Sequence, residues 1–212
     1  MSMEDYIAAR KEGIKQLHAL ESRGQDPYLP VLAELVPKLN QMAQVPLGLV
    51  QIGLDQIEGT ATKGRTTAFA RGFLPLLEQD SEFATKWSIL YDGIVEDGLR
   101  QPIVALEYYN RFYIVEGNKR VSVMRRLDAV NIEANVTRVL PEAEDSERYR
   151  VYQEFLSFYA DTKLNFIVFS REGSYERLYK LIGKTPGEKW TPEDLFDFQS
   201  CFYRFQQAYA AR

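Results

Sequence analysis

Residues 93–127 change hydrophobic period once, and that single change restricts the folds open to this chain more than any other feature. Ile103 to Glu107 and Phe112 to Glu116 are short β-branched and aromatic runs bounded by glycine, proline and asparagine, as strands are. Tyr109-Asn110-Arg111 joins them as a hairpin connection, without the Asn-Gly pair that most strongly marks one. After Val115 the spacing turns helical: Val121, Met124 and Leu127 are apolar, with Lys119, Arg120, Arg125 and Arg126 between them. The stretch therefore predicts turn, strand, turn, strand, glycine loop, helix.

The strand-to-helix junction is where chemistry is expected. Gly117 permits a close backbone approach, and Asn118 is the predicted N-cap. The first N–H groups of a helix lack intrahelical partners and sit at the positive end of its dipole. Lys119 and Arg120 add two formal charges there. Together these features predict a pocket for an anion, most naturally phosphate. The same residues also describe a plain strand-to-helix turn whose basic side chains face solvent.

Gly-Leu-Arg-Gln-Pro-Ile-Val-Ala at 98–105, then the hairpin, then Tyr-Ile-Val-Glu-Gly-Asn-Lys-Arg-Val-Ser-Val at 113–123, resembles the ParB/sulfiredoxin-like superfamily. ParB-type domains carry a Gly-Ile-x-x-Pro-Ile strand entry followed by a Gly-x-Arg-Arg-x-x-Ala loop and helix. This loop has Lys119 at the first basic position and Val123 where a small residue is expected. The likeness spans roughly residues 45–140, and the flanks resemble more loosely a ParB-like region of some bacterial proteins.

The resemblance implies an α/β (α+β) fold, a small mixed sheet with flanking helices and a helical C-terminal extension. It implies a nucleotide or other phosphate-bearing ligand held by Gly117, Asn118, Lys119, Arg120 and Ser122, with Arg100, Gln101 and Pro102 of the strand entry beside it. Lys63 and Arg65 would close the other side, Arg65 matching the arginine that follows the first strand in ParB-type domains. Members similar to free-serine kinases place a catalytic Glu after that strand, a position that matches Glu58 here. Glu58 or Glu116 would then act as general base, or through magnesium carried in with the nucleotide. Glu58 to Thr67 also reads as a flexible solvent loop. Sulfiredoxin chemistry is excluded, because the loop cysteine it needs is replaced by Asn118 and Cys201 lies far along the chain.

The totals exclude further classes. The chain has 212 residues, enough for one domain with a helical extension, and ordinary globular proportions of apolar and charged residues. One cysteine and one histidine exclude internal disulfides, Cys- or His-rich metal clusters and a Ser-His-Asp triad, so no protein metal site is expected. The net charge of −4 argues against a whole-protein grip on nucleic acid. Residues 93–127 nevertheless hold six Arg/Lys against four Asp/Glu, so any basic site is local. With no long apolar run and no signal segment, no membrane association is expected and the cytoplasm is the default compartment.

In chain order, a capping-box-like start at Ser2 opens a helix over 3–23, with Ile7, Ile14 and Leu17 as its apolar stripe and His18 half-buried beside it. A short helix ends before Pro37. Leu47 to Ile57 alternates as one half-buried strand, with Val50, Ile52 and Leu54 on one face. A helix capped at Asp80-Ser81 carries Phe83, Trp87, Leu90 and Ile94. Ile132 to Leu140 is a return strand, and Tyr149 to Tyr159 lies on an aromatic-faced helix. Asn165 to Phe169 reads as a fifth strand, and a short helix ends at Gly183. Thr191-Pro192-Glu193-Asp194 opens a last helix whose face Leu195, Phe198, Phe202, Phe205 and Tyr209 packs on the domain or forms a homo-oligomer seam.

The organisation expected is a helical extension at 1–44, the ParB/sulfiredoxin-like domain at 45–140, and a mainly helical part at 141–212 packed on the same core. Three functions follow. The first is nucleotide or phosphate binding, extended to NTP hydrolysis or phosphotransfer. The second is a DNA-associated partition- or transcription-type protein, on the resemblance alone, since residues 141–212 hold twelve Asp/Glu against ten Lys/Arg. The third is a non-catalytic regulatory module sensing an anionic metabolite.

Overall fold

The computed structural model describes residues 2–64 and 66–210. The chain divides into two compact units, Met1–Glu142 and Ala143–Arg212. The first contains helices α1 (Ser2–Glu21), α2 (Leu32–Leu35), α3 (Glu82–Asp97) and α4 (Asn118–Arg126). Its strands are β1 (Gln44–Gly53), β2 (Ile57–Thr60), β3 (Ile103–Tyr108), β4 (Arg111–Glu116) and β5 (Asn131–Val139), in one sheet of order β1-β5-β3-β4-β2. The second unit contains α5 (Glu147–Thr162), α6 (Ser174–Ile182) and α7 (Pro192–Ala210). The fold class is the α/β one expected, a mixed sheet with flanking helices and a helical C-terminal region.

The period change at 93–127 has the predicted outcome. β3 and β4 pair antiparallel with Tyr108 opposite Arg111. Tyr109 and Asn110 between them have φ of 51° and 62°, the left-handed geometry of a primed two-residue turn. α4 then carries the chain past β3 to β5, which pairs parallel with β3 and places Ile103 opposite Ala134. One face of the sheet, formed by Ile52, Ile103, Ala105, Phe112, Ile114, Ile132, Ala134 and Val136, is buried in one core with the helices. Helix α1 contributes to that core. Its Tyr6 ring meets the Trp87 ring edge-on at 5.5 Å, and Ala9 is fully buried. The buried face is Tyr6, Ala9 and Gly13, whereas Ile7 and His18 are exposed and Ile14 and Leu17 half-buried, which corrects the expected stripe. The expected Ser2 cap lies outside the described side chains.

The single strand expected over Leu47 to Ile57 is two strands. β1 pairs antiparallel with β5 and stops at Gly53. A 3-10 turn over Leu54–Gln56 follows, closed by Gln56 Oε1 accepting from the Gly53 N–H at 3.3 Å. β2 then pairs parallel with β4 at the other edge of the sheet, so Glu58-Gly59-Thr60 is strand rather than loop. Crossing a flat sheet of this order would mean bridging four inter-strand gaps, about 19 Å. The four Cα steps from Gly53 to Ile57 reach at most about 14 Å. The sheet therefore curls, bringing its edges towards each other. Arg125 of α4 pins the junction, donating from Nη2 to Leu54 O and Ile57 O at 2.8 Å each and from Nη1 to Gly72 O at 3.0 Å. Burial lowers the Arg125 pKa from its ordinary value, opposed by the nearby Asp55 and Glu58 carboxylates.

The second unit is held by aromatic packing. Trp190 presents its edge to Phe158 at 5.8 Å and to Phe198 at 5.2 Å, and Phe158 meets Tyr175 at 5.2 Å. Asn165 to Phe169 forms no strand. Leu164 and Ile167 of this irregular segment are buried, and Ile167 O accepts the Tyr175 hydroxyl at 2.8 Å, so side chains rather than a ladder fix it. α7 starts as predicted, with Thr191 Oγ1 accepting from Asp194 N–H at 3.2 Å and Asp194 Oδ2 from Thr191 N–H at 2.9 Å. Of its expected face, Leu195, Phe198 and Phe202 are half-buried, while Phe205 and Tyr209 are exposed. No helix among the described residues is long and apolar enough to cross a membrane.

Candidate functional site

The glycine loop has the predicted shape with a different cap. Gly117 is itself the N-cap of α4, at φ 114°, and makes no side-chain capping bond. Asn118 is the first helical residue, and its Oδ1 is buried without a hydrogen-bond partner among the described residues. Burying such an acceptor unpaired is costly. The first amides of α4 start here, at the positive end of the helix.

The two basic residues separate. Arg120 turns back, donating from Nη1 to Pro102 O at 2.5 Å and from Nη2 to Glu116 Oε1 at 2.9 Å. It thereby clamps the strand entry to the loop, and brings Pro102, Glu116, Gly117 and Arg120 together. Lys119 instead lies over the Phe83 ring, 4.6 Å from its centre, a cation–π contact with α3. There it lines a cavity of about 340 Å³, together with Lys86, Glu82, Ser81 and Thr67 and an apolar wall of Ala68, Leu77 and Phe83.

Local structure fixes this cavity. Ser81 caps α3, accepting from Ala84 N–H at 3.2 Å and donating to Glu78 O at 2.5 Å. Leu77 is held by its carbonyl, which accepts the Tyr6 hydroxyl at 2.7 Å, and burial raises the Tyr6 pKa to about 12. Lys86 pairs with Glu82 at 2.5 Å, one turn apart on exposed positions of α3. The N-terminus of α3 thus borders the cavity through Ser81 and Glu82, Lys86 follows one turn on, and α4 reaches it through Lys119.

The other candidates lie elsewhere. Ser122 is buried and accepts the Trp87 indole N–H at 2.9 Å, a core role that takes it away from the cavity. Arg100 pairs with Asp97 at 2.5 Å, and Gln101 is exposed on the loop before β3. Glu58 sits on β2 facing Arg71, 3.7 Å away. Lys63 is exposed and paired with Glu34 at 2.8 Å, a contact that raises its pKa. Arg65 lies outside the described residues. The segment that reaches the cavity is Thr67-Ala68, at the very end of the loop that the sequence pointed to. Lys86, Leu77 and the cavity-facing role of Phe83 carried no signal in the sequence, because only the packing of α3 on α4 brings them to Lys119. Among the described residues, no group of three or more His, Cys, Asp or Glu side chains could hold a metal ion.

No family model matches the chain, and no curated protein matches it. Among solved structures it is similar to sulfiredoxin from Arabidopsis thaliana, at 20% identity over 42% of this chain and 82% of that chain, with a TM-score of 0.30. That likeness covers less than half of this chain. It does not extend to what either protein binds.

Proposed function

We propose that the unit Met1–Glu142 is a binding module for a small phosphate-bearing molecule, a nucleotide or a simpler phosphate compound. One observation carries this reading: the N-terminal turn of α3 and the lysines Lys86 and Lys119 line one cavity. Helix N-termini and ammonium groups each favour an anion, and both act there together. A volume of about 340 Å³ suits a small molecule.

The reading is of binding. Glu58 and Glu116, each held by an arginine, do not line the cavity, so neither is assigned proton transfer. The residues do not make a magnesium cage, and no step is routed through that ion; a magnesium entering with a nucleotide would be held by the ligand's own phosphates. The test is a thermal-shift panel of pyrophosphate, nucleoside mono-, di- and triphosphates, with and without magnesium, on the full chain. At a hundred times its dissociation constant a ligand stabilises by about 2.7 kcal/mol, a clear melting shift. At least one phosphate compound should raise the melting temperature, and Lys119→Ala should remove the effect. A flat panel, or a shift that survives Lys119→Ala, overturns the assignment.

A further inference from the structure

Resting on that reading, the cavity also narrows the class of ligand. Its volume is at the lower end of the roughly 300–1,000 Å³ found for small-molecule sites. Its lining is divided: Lys86 and Lys119 supply cationic groups, while Ala68, Leu77 and Phe83 supply an apolar wall. Ala68 and Phe83 are almost wholly buried and so fixed by the core, while Leu77 is 37% exposed and offers its side chain to an incoming molecule. An extended polyphosphate would leave the wall without an apolar partner. A compact anion with one charged head and a short apolar or aromatic body matches both halves.

The cavity already contains a carboxylate. Glu82 sits against Lys86 at 2.5 Å, with its side chain 79% exposed. Exposed pairs one helical turn apart are weak and screened by salt, so an incoming anion can replace Glu82 at little cost. Glu82 is also a like charge that any anion in the cavity must approach.

We infer that this cavity takes a compact monoanionic or dianionic molecule with an apolar body, a monophosphate ester in size and charge, and that Glu82 is the internal competitor which the ligand's anionic head displaces from Lys86. The chemistry follows from the lining: Lys86 and Lys119 take the head, and Phe83, Leu77 and Ala68 take the body.

Calorimetric titration of the full chain with inorganic phosphate, phenyl phosphate and ATP tests this. Phenyl phosphate should bind about tenfold more tightly than inorganic phosphate, from the apolar surface it buries. It should also bind more tightly than ATP. Glu82→Gln should tighten phenyl phosphate binding, and Lys86→Ala should weaken it about tenfold. Both substitutions are at exposed positions, and an unchanged melting temperature shows that each variant is folded. If ATP binds more tightly than phenyl phosphate, or Glu82→Gln leaves the affinity unchanged, this inference fails while the cavity remains a phosphate site. If none of the three compounds binds, the assignment of the cavity falls, and this inference with it.

Discussion

Gly117 rests so closely on Ile103 that an added Cβ would lie 2.6 Å from Ile103 Cγ2. The contact sets how near the start of α4 comes to β3, and so where Lys119 emerges. Gly117→Ala meets two penalties, a backbone at φ 114° and the collision with a fully buried side chain. Together they should cost roughly 2–4 kcal/mol of stability in chemical denaturation. A loss below about 0.5 kcal/mol, the level of an ordinary surface substitution, would show that α4 can move away from β3.

The Trp87 indole N–H donates to the Ser122 hydroxyl at 2.9 Å within the core. Ser122→Ala should leave that N–H buried without an acceptor, at about 1–3 kcal/mol. The loss is read by denaturant unfolding followed in tryptophan fluorescence. Ligand affinity should be unchanged, because Ser122 does not line the cavity. A large fall in affinity with no fall in stability would return Ser122 to the site.

Arg125 joins α4 to the junction of β1 and β2 through Leu54 O and Ile57 O and to a later segment through Gly72 O, and its guanidinium lies 5.0 Å from the centre of the Phe73 ring. Arg125→Leu removes three hydrogen bonds, leaving Leu54 O with only the Ile57 N–H, so about 3 kcal/mol should be lost. Hydrogen exchange should speed up first at the amides around Leu54 to Ile57. Uniform acceleration across the sheet would mean that the curl is held elsewhere.

In the second unit, the Asp194 pKa is lowered from 3.8 to about 2, first by its bond with Lys184 and then by the Thr191 N–H and hydroxyl. The folded pKa lies below the unfolded one, so this contribution is complete above about pH 4. It is lost as the pH falls from there through about 2. Carbon NMR of the Asp194 carboxyl should place its midpoint near 2, and Lys184→Ala should move it up. A midpoint near 4 in the parent chain would contradict the geometry at the start of α7.

How much of this was legible in the sequence differs from element to element. β3, β4 and α4 were clear because period and turn chemistry agreed over more than twenty consecutive residues, with Asn110 able to take a left-handed backbone. β1 and β2 read as one strand because Val50, Ile52 and Leu54 alternate up to the turn and Ile57 follows closely, while the turn between them is closed by Gln56 and by the distant Arg125. The stripe of α1 was misplaced because its buried face uses Gly13, where a Cβ would come within 2.7 Å of Pro75 O, and close approach leaves no hydrophobic signal. Asn165 to Phe169 has strand composition, but Ile167 is fixed by the Tyr175 hydroxyl. At the candidate site, Gly117 and Lys119 could be named from local pattern. Lys86 and the apolar wall could not, since they reach Lys119 only through the packing of α3 on α4.

On the proposed function, an anion binds in the cavity that Lys119 and Lys86 both line. Amide NMR mapping of a pyrophosphate titration tests it most directly. Shifts concentrated at Asn118 to Val121, Ser81 to Lys86 and Thr67 to Ala68, and absent in Lys119→Ala, are the predicted result. Saturable shifts confined to another part of the chain, or none at millimolar pyrophosphate, would contradict it.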